Sequence, residues 1–249
     1  MQTRIRGVFF DMDGVLVNVS GSYRRAIQET VEHFAGRAIP ASTIQRYKNG
    51  GGYNDDWKLT HRIISDAGIT VSIRRVVDEF QRRYRGDNGD DGLIAQEPAL
   101  ISTETLDALC GPDRLMAIIT GRPGADAQWT IDRFGWQRYF PLLIPREKQE
   151  RRTKPDPYPL QRALAVFAAA GRRLRPDEVV YIGDTVDDMV AARAAGMWAI
   201  GMVPPYLDRV AHEALLYERG AHYVIHDTSM LPRLIEHFSA YVQAEPVAS

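Results

Sequence analysis

The sequence predicts an α/β protein with a Rossmann-like open parallel sheet core and an inserted α-helical domain. Three observations carry this. Six short apolar runs recur along the chain: Gly7–Phe10, Leu115–Ile119, Leu142–Ile144, Val179–Ile182, Trp198–Ile200 and Tyr223–Ile225. Each is bounded by Gly, Pro or charge, as expected of strands buried on both faces of a parallel sheet. Helical patterns lie between the later runs, the alternation that builds such a sheet. Residues 18–90 break the alternation, with helical periodicity and no buried strand.

The helices have readable ends. Thr103–Cys110 follows Ser102, a good N-cap, and stops at Gly111-Pro112. Asp126–Phe134 stops at Gly135, and Val186–Ala195 stops at Gly196. Leu160, Leu164 and Phe167 share one helical face before Gly171. Between residues 18 and 90 the amphipathic stretches are Tyr23–Phe34, Trp57–Ala67 and Ile73–Tyr84. A turn-rich segment, Arg85 to Gly92, then leads back to the core. The domains expected are residues 1–17 with 91–249 as the catalytic core and 18–90 as a helical cap.

Composition narrows the function. The 249 residues are 45% apolar and 25% charged, and the formal net charge is -1. That balance gives no bulk attraction to nucleic acid or to an anionic membrane. One cysteine, Cys110, makes no internal disulfide and no cysteine-based zinc site. The first apolar run is interrupted by Asp11 and Asp13, unlike a signal peptide. The uncharged stretch 194–207 holds two glycines and two prolines and is too short to span a bilayer. These features predict a soluble cytoplasmic protein with neither nucleic acid nor membrane as partner.

Four segments carry chemistry. Phe9-Phe10-Asp11-Met12-Asp13-Gly14-Val15 places two carboxylates where a buried strand ends. Ligands bind at that end of an open parallel sheet. Two carboxylates there repel each other unless a cation, such as Mg²⁺, neutralises them. Ile118-Ile119-Thr120-Gly121-Arg122 ends a second strand with a hydroxyl and a free amide, both able to donate to a phosphate oxygen. Lys154-Pro155-Asp156-Pro157 offers an ammonium before a helix. Tyr181-Ile182-Gly183-Asp184-Thr185-Val186-Asp187-Asp188 ends a further strand in acids. Asp184 and Asp188, four apart, face one metal if the helix starts near Thr185, and Asp187 then projects elsewhere. Each segment alone also reads as ordinary structure: an Asx turn, a strand-end turn, a surface lysine, an acidic first helical turn.

Taken in order, Asp11-Met12-Asp13-Gly14-Val15, Thr120-Gly121, Lys154-Pro155 and Gly183-Asp184 with Asp188 resemble the haloacid dehalogenase-like hydrolase superfamily, over almost the whole chain. The insertion resembles the helical cap that this superfamily carries after its first motif. The resemblance implies a Mg²⁺-dependent phosphatase acting on a small phosphorylated metabolite through an aspartyl-phosphate. It implies Asp11 as nucleophile and Asp13 as acid and base. Asp11, Asp13 (through its carbonyl), Asp184 and Asp188 are the implied metal ligands. Thr120, Gly121 and Lys154 are implied to hold the phosphoryl group. Asp13 argues against the metal-free dehalogenases, which lack an acid at that place. A phosphosugar mutase of the same superfamily and a non-catalytic phospho-ligand-binding module are the alternatives. The expected assembly is a monomer or homodimer.

Residues 18–90 hold twelve Lys or Arg against nine Asp or Glu, a mild positive bias that suits an anionic substrate. Lys48-Asn49-Gly50-Gly51-Gly52-Tyr53-Asn54-Asp55-Asp56-Trp57 reads as a specificity loop or as a mobile turn before a helix. Lys48 and Asn54 are its candidate substrate contacts. Arg122 is read equally as a substrate contact or as a surface ion pair. His222 and His226 straddle a strand end, where a spacing of four does not present one face, so a metal site there is disfavoured.

Overall fold

A computed structural model of the chain describes residues 4–53, 55–89 and 91–241. Six strands form one all-parallel sheet: β1 (Gly7–Phe10), β2 (Leu115–Ile119), β3 (Leu142–Ile144), β4 (Val179–Gly183), β5 (Trp198–Met202) and β6 (Tyr223–Ile225). Their order is β3-β2-β1-β4-β5-β6. The chain builds outward from β1 to one side, then returns and builds to the other. Strand order therefore reverses beside β1, and an open sheet binds ligands at the carboxyl ends around such a reversal. Register sharpens this, because Gly7–Phe10 lie opposite both Leu115–Ile118 and Val179–Ile182. The three strands thus deliver Asp11, Thr120 and Asp184 to one edge.

The chain divides into two compact units. One runs to Leu16 and resumes at Ala99; the other is Val17–Pro98. In the first, every residue of β1, β2 and β4 is buried, as the apolar runs require. Helix α5 (Thr103–Leu109) precedes β2, helices α6 (Gly124–Phe134), α7 (Tyr158–Ala169), α8 (Val186–Ala194) and α9 (Arg209–Glu218) lie in turn between the strands from β2 to β6, and α10 (Leu231–Tyr241) follows β6. Ser102 caps α5 by accepting from the Thr105 amide. Phe9 is fully buried in the core and stacks on Phe167 of α7, ring centroids 5.8 Å apart.

The second unit contains α1 (Tyr23–Ala35), α2 (Ala41–Asn49), α3 (Asp56–Asp66) and α4 (Ile73–Arg85). Tyr23 packs against Tyr84 and Phe80, centroids 4.1 and 5.6 Å away. Buried Glu97 accepts from Ser22 Oγ (2.5 Å) and Tyr84 OH (3.2 Å), which ties residues 93–97 to this helical unit. Helices α2, α9 and α10 form where the sequence reading assigned none. Helix α2 buries only Ile44, so its apolar stripe is too sparse to register as a period. The glycine-rich stretch is shorter as a loop than expected, since Lys48 and Asn49 end α2 while Asp56 and Trp57 begin α3. Lys48 pairs with Asp56 at 2.7 Å, and Asp55 caps α3 through the Trp57 and Lys58 amides. Asn54 lies outside the described residues. Among the described residues, no helix is long and apolar enough to cross a membrane.

The position of Phe9 makes it a sensitive probe of the core. Phe9→Ala is expected to cost about 3–5 kcal/mol, through lost burial and the cavity left behind. Urea unfolding measures this; a loss below about 1 kcal/mol contradicts the packing described.

Candidate active site

The site starts from a buried lysine. Lys154 precedes α7, and its side chain is wholly buried. Its Nζ lies 3.1 Å from Asp11 Oδ2 and 2.6 Å from Asp188 Oδ1, and it donates to the Tyr181 hydroxyl at 2.7 Å. The surface lysine that the sequence left open is thus an internal cation. Burial pulls its proton affinity down, but Asp11 and Asp188 outweigh this and hold it above the ordinary lysine value.

Each acid has a local reason for its place. Asp11 follows β1 and extends its ladder, its amide donating to the Ile182 carbonyl. Asp11 Oδ1 accepts from the Met12 amide at 2.8 Å, leaving Oδ2 to Lys154. Asp188 closes a capping box at the start of α8. Its Oδ2 accepts from the Thr185 amide and hydroxyl, and its own amide donates to Thr185 Oγ1. That turns Oδ1 toward Lys154 and Tyr181. Asp184 follows β4, and its carbonyl accepts from His212 Nε2 at 2.7 Å. Thr120 is fully buried; its hydroxyl accepts from the Arg122 amide, and its carbonyl accepts from Gln149 Nε2. Gly121 follows in a bend, partly exposed.

Asp11, Asp184 and Asp188 are buried together and each offers an oxygen within 4.8 Å of the others. Lys154 pairs with two of the three carboxylates, so the cluster carries excess negative charge when ionised. Burial pushes the Asp11 carboxyl up to about 7, opposed by Lys154 and reinforced by Asp188 and Asp13. An all-oxygen set of this charge suits a hard divalent cation. The backbone closes tightly on two of these acids. Gly14 has φ +73°, and a Cβ there would sit 2.1 Å from Asp184 Oδ2. A Cβ at Gly183 would sit 2.3 Å from Asp188 Cβ. Only glycine lets these loops approach the acids. Asp187, buried nearby, is not in the cluster.

Asp13 is placed differently. About a quarter of its side chain is exposed, and Oδ1 lies 2.5 Å from Arg122 Nε. The Arg122 side chain is wholly buried, so the surface pair considered from sequence is instead an internal one. Sequence reasoning missed Tyr181, Gln149, His212 and Thr185. For Tyr181 a signal existed: a phenol inside a fully buried strand needs a polar partner. Its hydroxyl sits between Lys154 and Asp188, and burial with those carboxylates raises its pKa well above the ordinary value. His222 accepts from the Ala199 amide, and His226 pairs with Glu213, so each is engaged apart from the other.

A family profile described as haloacid dehalogenase-like hydrolase matches residues 5–196. An imidazoleglycerol-phosphate dehydratase from Phytophthora nicotianae is 34% identical over 211 residues. That match takes in 82% of this chain but 45% of the relative, so the chain spans less than half of that protein's length. A phosphoglycolate phosphatase from Pectobacterium atrosepticum is 29% identical over 206 residues, 82% of each chain. A solved structure described as a predicted phosphoglycolate phosphatase from Haemophilus somnus superposes with a TM-score of 0.74. It is 18% identical and covers 94% of this chain and 99% of that one, a likeness of fold.

Two outcomes follow for the acid cluster. A divalent cation must displace the proton that burial favours on Asp11. Calorimetric titration of the metal-free protein is expected to show affinity falling about tenfold per pH unit below 7 and levelling above it. By the same sign, the stability tied to this carboxyl in the metal-free protein is present near pH 4 and is lost as pH rises through 7. A pH-independent affinity contradicts this placement of Asp11. Gly14→Ala is expected to weaken cation binding at least about tenfold and to cost more than about 1 kcal/mol in urea unfolding; unchanged binding contradicts the close approach to Asp184.

Proposed function

The chain belongs to the haloacid dehalogenase-like hydrolase family, and from that premise we propose that it is a Mg²⁺-dependent phosphatase of small phosphate monoesters. The observation that carries this is the buried set of Asp11, Asp184 and Asp188, two of them paired with Lys154, at the strand ends where an open sheet takes its ligand. The named phosphatase relative, matched over 82% of both chains, supports the same class.

The side chains divide the work. Asp11 Oδ2 attacks phosphorus, and the bond from phosphorus to the ester oxygen breaks. The electron pair leaves on that oxygen, which takes a proton from Asp13. Water then attacks the aspartyl-phosphate as Asp13 takes its proton. The bond from phosphorus to Asp11 breaks, the carboxylate is restored, and phosphate departs. Lys154, the Thr120 hydroxyl and the Gly121 amide hold the equatorial oxygens. Positioning and charge dominate because phosphoryl transfer asks little covalent work of the protein. Asp11, Asp184 and Asp188, with the Asp13 carbonyl, would hold Mg²⁺, which when bound would supply positive charge against the anionic phosphoryl group. The helical unit is assigned the choice of substrate.

The test is phosphate release with MgCl₂ across a panel of monoesters. The panel includes p-nitrophenyl phosphate and the two phosphate esters named in the relatives, phosphoglycolate and imidazoleglycerol phosphate. Release is expected to stop with EDTA and to fall at least about 10³-fold in Asp11→Asn. Release that survives either treatment contradicts the proposal, as does a panel on which no ester is hydrolysed.

A further inference from the structure

We propose that Arg122 is a positioning residue that acts through Asp13, fixing one of its oxygens so that proton transfer to the leaving group takes place at the other. The inference rests on the reading of Asp13 as acid and base. Asp13 stands in the turn after β1, and about a quarter of its side chain is exposed. A carboxylate there needs an external hold, since a proton donor works only within hydrogen-bond reach of the oxygen it serves.

Arg122 has what such a hold requires. Its side chain is wholly buried and its Nε meets Asp13 Oδ1. Its Nη1 donates to Thr130 Oγ1 at 3.0 Å, and that hydroxyl donates to the Asp126 carbonyl within α6. Its backbone is held too. The amide donates to Thr120 Oγ1, and the carbonyl accepts from the Arg146 amide. Both ends of the side chain are therefore anchored to the sheet edge and to α6. A guanidinium keeps its charge at any working pH and has no acceptor. It can give Asp13 Oδ1 a hydrogen bond in both halves of the cycle, and it cannot itself take the proton. A lysine lacks the planar fork that reaches Asp13 and Thr130 together.

The consequence is specific to the leaving group. An alkoxide leaves only with a proton, whereas p-nitrophenolate leaves without one. A misplaced Asp13 slows the first and spares the second. The measurement is single-turnover release of the leaving group with enzyme in excess, so only the first step is read. The probes are p-nitrophenyl phosphate and phosphoglycolate, or another alkyl monoester that the wild type hydrolyses.

Arg122→Gln is expected to lose at least about 30-fold more rate on the alkyl ester than on the aryl ester, following Asp13→Asn in pattern. Arg122→Lys recovers part of that difference. Thr130→Val, which removes the outer anchor without touching Asp13, shows the same preference more weakly and carries the test if Arg122→Gln does not fold. Equal losses on both esters in the Arg122 and Thr130 variants, with Asp13→Asn still selective, overturn this inference alone. An Asp13→Asn variant without the selectivity overturns the role of Asp13 and this inference with it. A wild type inactive on every ester removes the phosphatase reading itself.

Discussion

The ammonium of Lys154, sealed between Asp11 and Asp188, is the constraint on which the rest depends. A charge taken out of water is tolerated only when paired and hydrogen-bonded. Lys154 is paired twice, and the Tyr181 hydroxyl completes its shell. Removing one partner would strand the others. The cluster nevertheless remains unbalanced, because Asp184 lies with Asp11 and Asp188 while the one ammonium pairs with only those two. The fold thus holds negative charge in surplus at these strand ends, where burial first, and then Asp188 and Asp13, raise the Asp11 carboxyl against the pull of Lys154.

Local structure serves this cluster at several points. The capping box of α8 satisfies the first-turn amide of Asp188 and aims its remaining oxygen at Lys154. One carboxylate therefore stabilises a helix and anchors a cation. Gly14 and Gly183 give up side chains so that backbone can close on Asp184 and Asp188. Asp13 has its own cation in Arg122, separate from Lys154. The acids are therefore split into a lysine-bound set and an arginine-bound one. That division matches the proposed division of labour between a nucleophile and a proton carrier.

Much of the sheet was legible because each strand is a short apolar run with a hard stop. Burial on both faces leaves no polar alternation to blur that signal, and the six runs reappear as the six strands within one or two residues. The acids were legible for a related reason, since carboxylates at a buried strand's end stand out against their surroundings. Sparse stripes were not legible, as α2 shows with only Ile44 buried. Partnerships across long stretches of chain were also hidden. Asp13 and Arg122 are 109 residues apart, and Lys154 and Tyr181 are 27 apart. Nothing local to Arg122 says that its side chain turns inward to meet Asp13.

The central claim is that Asp11, held ready by Lys154, makes a covalent bond to phosphorus. The most direct measurement is acid quenching of the enzyme during turnover of a ³²P-labelled monoester, followed by peptide mapping. The account predicts label on the peptide containing Asp11, released by hydroxylamine as an acyl phosphate is, and absent from Asp11→Asn. Turnover at full rate with no labelled peptide, or with label retained in Asp11→Asn, would contradict it.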